Sequence, residues 1–196
     1  NIPANHAAAA HLPPTLAVND VAVTEGGVVT FTVTLGGATA LPSTFDWTTG
    51  NGTATTGDAD YTAASGTLTI LAGATTTTFN VITLDNSVYE GTETFNVILS
   101  NPVNSTLLDG TGVGSITEND LAPTVAIDNV TVAEGGVASF TVTLTGLTAL
   151  NTTYDWATSD GTAAAPGDYT TASASMTIPA GTTTVNGTFA ADTVSL

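Results

Sequence analysis

The side chains able to do chemistry in this sequence are almost all carboxylates, and in the first half of the chain they fall in groups. Glu25 stands at a Gly-Gly turn, and Asp58 and Asp60 come just before Tyr61. Asp85 is followed by Asn86, then Glu90 and Glu93, and Glu118 and Asp120 close the stretch. The chain holds 17 acidic residues, two His and no Lys or Arg, so it has almost no internal cation to pair with them. Acids that meet in space repel one another unless a cation neutralises them. An all-oxygen donor set suits Ca²⁺, which takes about 6–8 oxygen ligands. The plainer reading is that each acid is a solvated loop carboxylate and the charge keeps a Thr-rich surface soluble and monomeric. Grouping at strand ends favours the metal.

Other chemistries find little support. There is no Cys, and His6 and His11 both sit near the N-terminus, which leaves no Ser–His or Cys–His arrangement within a domain. Two His are too few for a zinc site. Glu90 and Glu93 would serve as an acid–base pair only in a cleft with substrate-orienting groups, and no motif supplies one. Gly26-Gly27 and Gly135-Gly136 are turns, since a phosphate loop would need a Lys. The sequence therefore reads as non-enzymatic. Without Lys or Arg it also argues against nucleic acid and anionic membrane as partners. No stretch approaches the roughly 20 apolar residues of a membrane span. The chain shows neither an initiator Met nor a basic leader, so a signal peptide is expected to be absent or removed, and the chain reads as a mature form or a fragment.

The elements that must position these acids are strands. Val, Thr, Ala and Gly dominate, and β-branched residues fit a pleated, half-buried surface. Val29, Phe31, Val33 and Leu35 alternate with Thr30, Thr32 and Thr34, the period of a strand with one buried face. Further strands are expected at 15–19 with 21–24 (one kinked strand), 43–49, 67–71, 76–84, 92–100 and 112–117, separated by Gly, Asn and Pro signals. Phe45 and Trp47 are the expected core anchors. Seven or so short strands predict an antiparallel Greek-key, Ig-like β-sandwich. Alternate loops of such a sandwich share an end, so the Glu25 turn, the Asp60 loop, the Asp85–Glu93 loop and the exit segment are expected to converge.

The whole pattern then repeats. Val21–Leu35 returns nearly unchanged as Val130–Leu144, an offset of 109 residues, and Phe45-Asp-Trp47 returns as Tyr154-Asp-Trp156. The expected organisation is a tail or linker at 1–13, a first sandwich at 14–122 and a second at 123–196, all-β throughout and joined by a short acidic linker. Nothing after residue 190 corresponds to 92–117, so the second sandwich lacks its last two strands within this chain. Either the sequence is a piece of a longer array, or a neighbouring subunit supplies the strands, an established mode of assembly.

Glu-Gly-Gly, then Phe-Thr-Val-Thr-Leu, then Gly-Thr-Ala…Asp-Tyr, then Asp-Asn…Tyr-Glu-Gly-Thr-Glu-Thr-Phe resembles the Calx-β domain, which occurs in sodium–calcium exchangers, integrin-associated proteins and bacterial extracellular repeat proteins. The resemblance covers 15–120 fully and 124–196 in part. It implies calcium ligands at Glu25, Asp60, Asp85, Glu90, Glu93, Glu118 and Asp120. Asn86 departs from the pattern, where binding members usually carry a second Asp. In the second domain only Glu134, Asp168 and Asp192 have counterparts, so a complete site is not expected there. The implied function is a structural module of an exported surface protein: a stalk, adhesin or filament, stiffened by Ca²⁺, self-associating or packed on neighbouring repeats at the cell surface. A carbohydrate- or protein-binding adhesive module and a calcium-sensing regulatory domain are the alternatives. Clustered exposed aromatics would favour the binding module, but Trp47 and Trp156 both read as buried.

Overall fold

The computed structural model describes residues 12–182 and the backbone of 184–185. His6, His11 and Asp192 lie outside the described residues. The chain divides into two compact units. The first runs to Asn86 and resumes over Gly91–Glu118; the second takes Ser87–Glu90 and the chain from Asn119 onward.

Unit 1 is a sandwich of two sheets. β1 (Thr15–Val18), β3 (Val28–Leu35), β6 (Thr76–Ile82) and β8 (Thr106–Asp109) form one sheet, ordered β6-β3-β1-β8. β2 (Val21–Thr24), β4 (Ser43–Asn51), β5 (Ser65–Ile70), β7 (Glu93–Val103) and β9 (Thr111–Thr117) form the other, ordered β2-β9-β7-β4-β5. The alternation read in β3 holds: Val29, Phe31, Val33 and Leu35 are all buried. The first expected strand is in fact two. β1 lies antiparallel to β3, and β2 crosses to the opposite sheet to lie parallel to β9. Asn19 and Asp20 fix the crossing, for their side chains accept hydrogen bonds from the amides of Thr32 (2.7 Å) and Val113 (2.7 Å), one in each sheet.

An aromatic cluster ties the sheets together. Phe31 and Phe79 stack from one sheet, Trp47 stacks on Phe79 at 4.0 Å, and Phe95 of β7 meets Phe31 edge-on at 6.0 Å. Such pairs add about 0.5–1.5 kcal/mol each beyond their burial. Gly114 of β9 makes room for this cluster, since a Cβ there would lie 2.4 Å from the Phe95 ring.

Unit 2 repeats only part of this. β10 (Thr124–Ile127), β11 (Val142–Thr145) and β14 (Thr184–Val185) form one sheet. β12 (Thr152–Ala157) and β13 (Ser173–Ile178) form a two-stranded ribbon. Val142, Leu144 and Ile178 make a small buried core, with Phe140, Tyr154, Trp156 and Met176 half-buried against it. Trp156 is thus less covered than its sequence suggested, while Trp47 is buried. Val130–Ala133, the copy of β2, forms no strand. The reason is physical: β2 pairs only with β9, and the described residues of unit 2 contain no copy of β9. The segment Ser87–Glu90 completes this unit from a distant part of the sequence. The Tyr89 amide donates to the Leu147 carbonyl, and the Tyr89 carbonyl accepts from the Ala149 amide and the Thr148 hydroxyl.

Candidate metal centre

The acids of unit 1 are held by backbone pairing at one end of the sandwich. The Glu25 amide donates to the Thr117 carbonyl at 3.0 Å, so the Gly-Gly turn begins where β9 ends. The next amide, Gly26, donates to the Leu84 carbonyl, and the Leu84 amide donates to the Asp60 carbonyl at 2.9 Å. Three loops far apart in sequence are thereby laced together. Gly26 has φ +75°, and a Cβ on it would lie 2.9 Å from the Asp85 Cβ, so glycine serves both the turn and the seating of Asp85. Glu25 Oε1 accepts from the Asn86 amide (3.2 Å), and Glu118 Oε2 accepts from the Gly91 amide (2.9 Å).

Two acid pairs result within unit 1. Carboxylate oxygens of Glu25 and Glu118 lie within 4.8 Å of each other, as do those of Asp60 and Glu93. Asp60 is the unusual member. It is 4% exposed, with Oδ2 accepting from the Thr55 amide at 2.6 Å, while the buried Oδ1 has no hydrogen-bond partner. Burying a carboxylate oxygen without a partner costs several kcal/mol unless a cation compensates. This chain cannot supply one from Lys or Arg. The donors are all oxygens, and the buried Asp60 brings one within 4.8 Å of a second acid, Glu93, so the residues present fit a hard cation such as Ca²⁺. Above this pair the Tyr61 ring is buried and stacks on Phe95 at 4.6 Å. Burial pushes the Tyr61 hydroxyl above its ordinary range, and the charge of Asp60 adds to the shift.

The predicted site residues therefore divide. Glu25 with Glu118, and Asp60 with Glu93, come together, and Asp85 is seated against the Gly26 turn. Glu90 and Asp120 belong to the stretches that group with unit 2. Asp58 is exposed and accepts from the Thr55 hydroxyl at 3.0 Å. In unit 2 Glu134 and Asp168 are both exposed, and among the described residues neither joins a group of acids. Asp168 keeps the local contact of its counterpart, accepting from the Ala164 amide at 2.8 Å as Asp60 accepts from Thr55. Two groups escaped the sequence reading, the amides of Thr55 and Gly91, which orient Asp60 and Glu118. The only signal for either was the Gly in Tyr-Glu-Gly-Thr, at φ +80°.

The family model of the Calx-beta domain matches residues 15–121 and again 118–189. The chain belongs to the Calx-beta family. Solved Calx-beta structures share its fold. The crystal structure of CBD12 from CALX1.2 matches over 91% of this chain and 76% of that one, with 20% identity and a TM-score of 0.52. The calcium binding domain CBD12 of CALX1.1 matches over 87% and 72%, with 20% identity and a TM-score of 0.51. The apo-form Calx CBD1 domain matches over 55% of this chain and 98% of that one, with 21% identity and a TM-score of 0.51. No curated protein sequence matches the chain. At these identities the structures establish the tandem Calx-beta fold; the acids are argued from their own geometry.

Proposed function

We propose that this pair of Calx-beta domains is a non-enzymatic structural module of an exported surface protein, stiffened by Ca²⁺ at the acidic end of unit 1. The observation that carries the reading is the buried Asp60 oxygen, which lacks a hydrogen-bond partner beside Glu93 in a chain without Lys or Arg. Asp60 and Glu93 would hold one ion, and Glu25 and Glu118 a second. Asp85 stands at the Gly26 turn beside the second pair. When bound, the ion supplies positive charge that cancels repulsion among these loops, so its effect is rigidity.

Extracellular modules bind calcium with Kd of about 10⁻⁴–10⁻³ M, whereas sensors lie near 10⁻⁷–10⁻⁵ M. A surface stalk, adhesin or filament built on neighbouring repeats calls for the weaker range, and a calcium-sensing domain for the tighter one. Calorimetric titration of the full chain with Ca²⁺, alongside thermal melting in Ca²⁺ and in chelator, tests the reading. Binding with a raised melting temperature is expected. An unchanged melting curve with no heat of binding would sink it. An adhesive module for carbohydrate or protein is the second reading; the half-buried Trp156 and Tyr169 favour it over a purely inert spacer.

A further inference from the structure

The four edge strands of unit 1 are not alike. The sheet orders place β6 and β8 at the edges of one sheet and β2 and β5 at those of the other. An edge strand offers unpaired amides and carbonyls to any second chain, and proteins guard such edges with charges, bulges, prolines or short length. Three of the four are guarded here. β2 spans four residues and lies between Asp20 and Glu25. β8 also spans four, ends on Asp109 and pairs with β1 through a register shift. β5 contains Gly66, and its Thr67 donates to the Asp46 carboxylate at 2.5 Å. β6 has none of these devices. Its seven residues pair with β3 without a break in register and include no Pro, Gly or charge. Residues 61–84 as a whole hold no charged side chain, in a chain of formal net charge −17.

The pairing on each side of β6 fixes which of its backbone groups are open. Toward β3, the Thr83 amide donates to the Gly27 carbonyl, and the Thr75 carbonyl accepts from the Leu35 amide. Away from β3, the Ile82 carbonyl accepts from the Thr62 amide, and the Leu84 amide donates to the Asp60 carbonyl. Backbone groups alternate in direction along an antiparallel strand, so the odd-numbered residues face β3, and Thr76, Thr78 and Asn80 face outward. Among the described residues the outward amides and carbonyls of these three pair with no other backbone group. We infer that this edge pairs with the same edge of a second copy of the chain, the two β6 strands running antiparallel about a two-fold axis at Thr78. Thr78 then lies opposite its own copy, and Thr76 opposite Asn80, with each pair exchanging two hydrogen bonds. The side chains that meet are exposed, uncharged and able both to donate and to accept, so the edge is complementary to itself. Charge selects this edge. Two copies of so acidic a chain repel wherever carboxylates meet, and β6 is the edge where none do. The antiparallel sense also keeps Asp85 of one copy about 45 Å from Asp85 of the other, well beyond the screening length of about 10 Å at about 0.1 M salt.

The test uses the full chain in chelator, so that its outcome is independent of calcium binding by unit 1. Sedimentation velocity over a range of protein concentrations should show a monomer–dimer equilibrium. Added NaCl should shift it toward dimer, since salt screens the repulsion between the acidic bodies while the joined edges are uncharged. Thr78→Asp, which sets two carboxylates across the axis, should weaken the dimer about tenfold or more. Thr69→Asp, the same change on β5, should leave it in place. Amide exchange on the unmodified chain reports the edge even if Thr78→Asp loosens unit 1. The Thr76, Thr78 and Asn80 amides should slow as protein concentration rises, while those of Thr77 and Phe79 are slow throughout. A monomer at every salt and protein concentration, a dimer that survives Thr78→Asp, or exchange at Thr76, Thr78 and Asn80 that ignores concentration would overturn the inference.

Discussion

Leu16 and Val18 of β1 are 0% and 4% exposed, whereas Val125 and Ile127, at the same places in the second repeat, are 42% and 57% exposed. The local sequences are nearly the same, and both form four-residue strands paired antiparallel to the strand that follows the Gly-Gly turn. What differs is the layer facing them. In unit 1 the five-stranded sheet closes over β1; in unit 2 the described residues opposite β10 form only a two-stranded ribbon. The pattern of a strand thus specifies its pairing and its inward face, while burial depends on strands that come much later in the chain. The acids follow the same rule. Asp60 is buried because β7 brings Phe95 and Glu93 over its loop, and Asp168, holding the same local contact, stays exposed.

Substitutions and ligands should affect the two units unequally. The largest effect is expected from Phe95→Ala, which should cost unit 1 about 3–5 kcal/mol and lower its melting transition. Phe140→Ala, at a half-buried site, should cost unit 2 about 1–2 kcal/mol. Chemical denaturation followed by Trp emission would check both, and equal losses would undo the contrast. Calcium comes next. At a concentration of about 100 Kd it should stabilise unit 1 by about 2.7 kcal/mol and leave the unit 2 transition in place. Asp60→Asn should remove most of that gain, as measured by melting with and without chelator.

A smaller and more discriminating pair is Gly26→Ala against Gly135→Ala. Both glycines have positive φ, at +75° and +79°, so both substitutions should cost about 1–2 kcal/mol. Only at Gly26 would the new Cβ press on Asp85, and nothing lies within 4 Å at Gly135. Gly26→Ala should therefore cost about 1 kcal/mol more and weaken calcium binding, which titration of the two variants would show. The smallest effect concerns acid. Hydrogen bonds from Thr67 and then Asn101 hold the half-exposed Asp46 below the usual aspartate range. Its contribution to stability is therefore complete above the ordinary aspartate pKa and is lost as pH falls through its depressed folded value. Asp46→Asn should flatten that acid limb slightly in a melting series, with no change near neutral pH.

The fold was largely legible in the sequence. Alternation in β3, the Phe45 and Trp47 anchors and the Gly-Gly turns each follow from local chemistry that the structure keeps. β8 was not legible. Its Leu107 and Leu108 are both exposed, so it carries no alternation, and its turn rests on Asn104 at φ +59°, whose side chain donates to the Pro42 carbonyl. The split of the first strand between two sheets was hidden as well, because it depends on Asn19 and Asp20 finding amides in opposite sheets. Of the acids, convergence of the loops could be read from topology. The division into a Glu25–Glu118 pair and a pair of the buried Asp60 with Glu93 could not, since it rests on which amides of Asn86, Gly91 and Thr55 the side chains of Glu25, Glu118 and Asp60 meet.

The crossing of β2 also has a mechanical meaning. The chain enters unit 1 through β1 and β2 and leaves through β9, and β2 lies parallel to β9 along Val21–Thr24. A pull along the chain therefore draws the two strands past each other lengthwise. Their cross-strand bonds are loaded in shear and must yield together, whereas an antiparallel pair at the same ends would unzip one rung at a time. Thr117 reinforces that seam, since its hydroxyl donates to the Val23 carbonyl at 3.0 Å while its own carbonyl holds the Glu25 amide. Tension applied at the ends of unit 1 would thus converge on the same seam that positions Glu25 beside Glu118.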